Sequence, residues 1–173
     1  MKNIRVLVYM ALLIAMDIIL TRFLSLQTPI VRVSFGFLPI AFSAILFGPV
    51  LGGVTAALSD IIGMMLFPPS TGPYFPGFTL SAFIGGAIYG LFLHKNPKSV
   101  LRTVLAVVTI VLFVDLGLNT LWLTILTGKA ASAIIIPRIT KSLIMLPIQV
   151  ALITLLWRSV GSMIGRGFSI SRK

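Results

Sequence analysis

Three carboxylates, Asp17, Asp60 and Asp115, are the only acids in this chain of 173 residues, and each falls within a run of apolar residues. A charge in such a run is costly, so it faces a cavity, a partner side chain or a subunit contact. Asp115, Asn119 and Trp122 follow one another at i, i+4 and i+7, which puts them on one face of a helix. That face offers a pair of acceptors, an amide and a flat stacking surface, a set that suits a planar heterocycle with N–H donors. It equally suits an aspartate paired with a lysine or arginine of another helix and a tryptophan at the bilayer interface. Asp60 is open to packing, gating or direct ligation. Asp17 lies five positions before Arg22 and is expected in an internal ion pair.

A second group stands between two apolar helices. Phe67 to Thr79 carries four prolines and two glycines, which break helices and set turns, and it holds Tyr74, Phe75 and Phe78. A connection that only joined two spans would have little use for such stiffness. Together with Asp60, which precedes it, the loop reads as one wall and the lid of a small-molecule site. The plainer alternative for its aromatics is a belt at the membrane surface.

Net charge is +11, from fourteen Lys and Arg against the three acids. In a chain with 58% hydrophobic and 10% charged residues and a mean hydropathy of +1.12, these charges point to the positive-inside rule and lipid headgroups rather than to nucleic acid. The chain is an integral membrane protein whose length allows about six spans of roughly 20 residues and no separate soluble domain. Residues 1–173 are therefore expected to form a single six-helix transmembrane domain. There is no cysteine, so disulfides are excluded. His94, alone in a basic connection, offers no metal site. Although Met1 to Val6 resembles the start of a signal peptide, no small-residue cleavage site follows, and the segment reads as a retained first helix.

The helices are expected at about 4–23, 37–47, 51–66, 80–93, 104–126 and 138–163. Ser25 to Ser34 is read as the first outer loop, and Thr127 to Pro137 as a turn. Six spans put both ends on one side. Nine of the basic residues fall there, including Lys2, Arg5, Lys95, Lys98 and Arg158, so both termini are predicted cytoplasmic. Arg22, Arg32, Lys129, Arg138 and Lys141 are left at the outer side. They either snorkel to headgroups or converge on an outward-facing cavity, where arginine suits a carboxylate. Arg138 and Lys141, three apart, share a face. Ala11 and Ala15, four apart on the first helix, leave a face that another helix can approach closely. No glycine-rich phosphate loop, metal cluster or nucleophile with a base is visible, so the chain itself has no means of hydrolysing ATP.

Four stretches carry a family resemblance: Arg32-Val-Ser-Phe-Gly-Phe-Leu-Pro39, Phe47-Gly-Pro-Val-Leu-Gly-Gly53, Ser59-Asp-Ile-Ile-Gly63 and Pro73-Tyr-Phe-Pro-Gly-Phe-Thr-Leu80. The chain resembles the substrate-binding S components of energy-coupling factor (ECF) vitamin transporters, and Tyr74 to Thr79 makes it most similar to the folate-specific group. The resemblance implies the six-helix S-component fold, no enzymatic activity and no cofactor. It also implies a complex with a transmembrane coupling protein and two ATPases, which use the ATP. In the family the coupling protein contacts an alanine motif on helix 1, here Ala11 and Ala15. The S component topples in the membrane, with gates at about Ser25 to Ser34 and Pro68 to Gly77. For folate, Asp115, Asn119 and Trp122 or Tyr74 and Phe75 are expected near the pterin ring. Arg22, Arg32, Arg138 or Lys141 are expected near the anionic glutamate tail. Rival readings are an S component for pantothenate or a queuosine precursor, a membrane-embedded enzyme acting on lipid, and a structural bundle that assembles other proteins.

Two outcomes follow from these expectations. Arg32→Ala should weaken binding of folate more than of a pterin lacking glutamate, and equal losses in calorimetric titration would remove the tail contact. Bulky residues at Ala11 and Ala15 should spare binding but abolish uptake by vesicles containing the partners.

Overall fold

The structure, a computed structural model, describes residues 2–27, 32–67, 74–95, 98–128 and 130–167. Lys129 and the loop positions from Pro68 to Pro73 lie outside them. Helix α1 is Lys2–Arg22, and β1 (Ser25–Gln27) and β2 (Arg32–Ser34) follow. Next come α2 (Phe37–Phe47), α3 (Pro49–Leu66) and α4 (Pro76–Leu93). A single rod then runs from Val100 to Thr127 as α5 (Val100–Thr109), a π-helical segment (Ile110–Leu118) and α6 (Asn119–Thr127). Helix α7 (Ala131–Gly167) completes the described chain.

Counting that rod as one, six helices form the bundle, and five of them are long and apolar enough to cross a membrane. The sixth, α2, has 11 residues and reaches only about 16 Å, roughly half of a 30 Å hydrocarbon core. It is instead packed inside. Ile40, Ala41, Ala44 and Ile45 of α2 belong to the central apolar cluster with Tyr89 and Leu93 of α4 and Val107 of α5.

The boundaries depart from the sequence reading in physically simple ways. Pro49 and Pro76 stand in the first turns of α3 and α4, where a missing N–H costs nothing, so both helices begin earlier than expected. Ser99 caps α5 by accepting the Arg102 N–H, which starts that helix at Val100. Residues 131–137 continue α7 instead of turning. Pro137 and Pro147 both lie inside that helix, and bundle neighbours make such prolines tolerable in a span. Within the expected outer loop from Ser25 to Ser34, β1 and β2 pair antiparallel with Leu26 opposite Val33, and residues 28–31 lie outside the described residues.

Close packing of α3 on α4 rests on missing side chains. A Cβ on Gly86 would come within 2.5 Å of the Gly52 carbonyl oxygen, and one on Gly52 within 2.7 Å of Ala44. Backbones approach here because association in lipid gains from dispersion and not from a hydrophobic drive. Beside them Ser43 Oγ donates to Thr55 Oγ1 at 2.9 Å, tying α2 to α3 within the apolar centre. Gly86→Val should therefore destabilise the fold by about 1–3 kcal/mol, read as an earlier thermal unfolding in detergent. Gly85→Ala, whose Cβ meets nothing within 4 Å, should leave that transition unmoved.

Candidate functional site

A cavity of about 320 Å³ opens among the C-terminal ends of α1 and α3, the start of α4 and the π-helical segment. These ends all lie opposite the chain termini, and the cavity continues inward to Ala56, Gly86 and Tyr89. Its walls carry Asp17, Arg22, Asp60, Asp115 and Asn119, with Phe37, Phe78 and Tyr89 as aromatic surfaces. Three carboxylates that stand 98 positions apart along the chain, from Asp17 to Asp115, thus meet in one space.

Each has a protein partner. Asp17, 7% exposed, accepts from Ser59 Oγ. Asp60 accepts from Thr79 Oγ1 at 2.8 Å, and the Tyr74 hydroxyl shares a hydrogen bond with that Thr79 at 3.0 Å. The outer loop is thereby wired to the cavity wall through a single threonine. Arg22 lies within electrostatic reach of Asp60 first and Asp17 second. Its guanidinium sits over Gly63: a Cβ there would stand 3.2 Å from Nε. The small-residue face of α3 therefore serves the site as well as the packing. Arg22 lines the cavity, and its Nε and Nη1 are buried and donate to nothing among the described residues, which leaves two guanidinium nitrogens beside the cavity without an acceptor.

Asp115 is held differently. Asn119 Nδ2 donates to its Oδ1 at 3.2 Å, and Lys141 Nζ of α7 stands 3.7 Å from its Oδ2. Arg138 Nη1 and Thr120 Oγ1 both donate to the Asp115 backbone oxygen. Arg138 and Lys141 share a face as expected, but that face meets Asp115 rather than standing in the wall of the cavity. Trp122 donates its indole N–H to Ser81 Oγ at 3.0 Å and packs on Phe75, ring centroids 5.6 Å apart; Phe75 in turn meets Phe78 edge-on at 6.0 Å. The aromatic loop residues and Trp122 form one cluster at the mouth. Tyr74 is its outermost member, 47% exposed. Arg32 lies in β2, and its side chain falls outside the described residues. Ala11 and Ala15 are exposed on the outer side of α1, far along the helix from Arg22.

The π-helical segment explains how one rod supplies so much of the wall. Ile110, Val114, Asp115 and Asn119 all line the cavity. With 3.6 residues per turn, an α-helix would carry Asn119 about 180° away from Ile110. Here the Asn119 N–H bonds the Val114 carbonyl five positions back, and the wider turn brings all four to one side. No residue type announces that register. Ser59, Thr79 and Ser81 were likewise not legible as site residues, because their partners come from other helices. The Ser59-Asp60 pair was the one local hint.

The family model for the substrate-specific component of ECF transporters matches residues 5–157. A folate transporter FolT of Clostridium novyi is 51% identical over 160 residues, 92% of either chain. The FolT of Leuconostoc mesenteroides is 37% identical over 151 residues, 84% of this chain and 80% of that one. A crystal structure of FolT bound with folic acid superposes with a TM-score of 0.83 at 36% identity, over 88% of this chain and 92% of the other. That match covers most of the chain, so the family relationship and the architecture agree. The chain is thus a multi-pass membrane protein of binding and transport, not an enzyme, and it belongs to the family of substrate-specific components of ECF transporters.

Proposed function

We propose that this chain captures folate from the outer side of the cell membrane and presents it for import. The observation that carries this reading is the pairing, inside one membrane cavity, of a carboxylate with unsatisfied guanidinium N–H groups: Asp60 beside Arg22. A pterin presents N–H donors and acceptor atoms along neighbouring edges of a flat ring. Asp60 accepts from the donor edge, Arg22 donates to the acceptor edge, and Phe37, Phe78 and Tyr89 supply apolar surface for the ring faces. The likeness to FolT proteins, one of them bound with folic acid, supports the same ligand. Among S-component substrates, a carboxylate without a flat ring, such as pantothenate, would leave those aromatic walls without a role.

The remaining parts follow from chain geometry and charge. The excess of basic residues on the side of the termini supports a cytoplasmic position for both ends, with the cavity mouth facing outward. The glutamate tail extends towards that mouth, past the Trp122, Phe75 and Phe78 cluster and the hairpin that carries Arg32. Uptake needs an energy source that this chain does not supply. A transmembrane coupling protein docks on the exposed face of α1 around Ala11 and Ala15, and two ATPases joined to it hydrolyse the ATP. The chain itself takes no cofactor.

Asp60→Asn keeps the shape of the cavity wall but loses the charge that orders the ring donors. It should weaken folic acid and its glutamate-free analogue pteroate alike, by about 10- to 100-fold in calorimetric titration of the purified protein. A loss confined to folic acid would place Asp60 at the tail, and no loss would remove it from the site.

A further inference from the structure

Arg138 does not line the cavity, yet its Nη1 donates to the one backbone oxygen on which the shape of the cavity wall turns. In an α-helix the Asp115 carbonyl would accept the Asn119 N–H. Along the Ile110–Leu118 segment that N–H instead bonds Val114, and the Asp115 oxygen is taken by the Thr120 hydroxyl and by Arg138 of α7. An oxygen in the membrane interior without a good donor would be strongly disfavoured; the Thr120 hydroxyl, at 3.3 Å, is the weaker of the two, so the charged donor from Arg138 is the one that favours the π register over the α register. Lys141 adds a second hold on the same residue, at the carboxylate.

We infer that Arg138 is a positioning residue for the ligand site: it holds the Ile110–Leu118 segment in its π-helical register and so keeps Asp115 and Asn119 in the cavity wall and Trp122 at its mouth. The selectivity consequence rests on the folate reading; the register consequence does not. Without the guanidinium the segment relaxes to α-helix. Everything after it then turns by about 100°, the angle of one residue. Trp122 leaves Ser81 and Phe75, and Asn119 leaves the wall. The effect reaches every ligand that uses the wall, with or without a glutamate tail.

The chain has two tryptophans, so Trp157→Phe leaves Trp122 as the single emitter. In that background Arg138→Met should shift ligand-free emission to longer wavelength. It should weaken folic acid and pteroate equally, by at least about 10-fold, the loss expected when a hydrogen bond from a charged group goes. Deletion of Leu112, which is 55% exposed on the outside of the segment, removes one residue and returns the downstream helix to its original face in α winding. Combined with Arg138→Met, it should restore both the emission and the binding. A side chain that merely supported the fold would gain nothing from that deletion. Unchanged emission with a loss confined to folic acid would overturn the inference and make Arg138 a tail ligand. Shifted emission that the deletion fails to restore would also overturn it. Should Arg138→Met not fold, recovery of a folded protein by the deletion supports the inference and continued failure overturns it. Emission that follows this pattern in a protein that binds no folate would leave the inference standing and remove the ligand assignment.

Discussion

Charge in hydrocarbon has to be answered inside the protein, and the upper half of this bundle is built around that constraint. Asp17, Asp60 and Asp115 sit on three different spans, within apolar helices where an unanswered charge is costly. Each meets a different kind of partner: a serine hydroxyl for Asp17, a threonine beside an arginine for Asp60, and an amide with a lysine for Asp115. The helices are ordered by these pairings as much as by apolar packing. Ser59 connects α3 to α1, Thr79 connects α4 to α3, and Lys141 connects α7 to the π-helical segment.

That arrangement leaves the site with a division of labour. Asp115 is spoken for by α7 and gives the wall its form, whereas Asp60 and Arg22 retain the capacity to meet a ligand. Arg22 packs directly on Gly63, where an added Cβ would stand 3.2 Å from Nε and Nη2 and the guanidinium would have to give way slightly. The same helix uses Gly52 one and a half to two turns from Ala57 and Ser59 to approach α4, so one glycine-rich strip both closes the bundle and admits the cation. Helix α2 contributes by being short. Filling the centre instead of crossing, it leaves the outer end of the bundle open between α1, α3 and α4.

The loop and the cavity wall are linked by hydrogen bonds. Tyr74 at the surface reaches Asp60 through Thr79, and Phe75 reaches Trp122 directly. A ligand that engages Asp60 therefore acts on the hydrogen-bond partner of the outer loop. Such a path is short, with one side chain between the exposed hydroxyl and the half-buried carboxylate.

Composition and periodicity alone determined that this chain lies in a membrane, where its helices fall, and that its three intramembrane acids and proline-rich aromatic loop matter, because hydropathy, helix breakers and buried charge are local properties of the chain. The family resemblance was legible too, since it rests on contiguous residues. What only the tertiary structure decided is which partner each charged group meets. Arg138 and Lys141 were readable as a basic face but not as a clamp on Asp115, and Asp115, Asn119 and Trp122 were readable as an α-helical face but not as part of a π-wound wall. Pairing between helices and a one-residue change of register depend on contacts among segments distant in sequence, and no local pattern of residues encodes them.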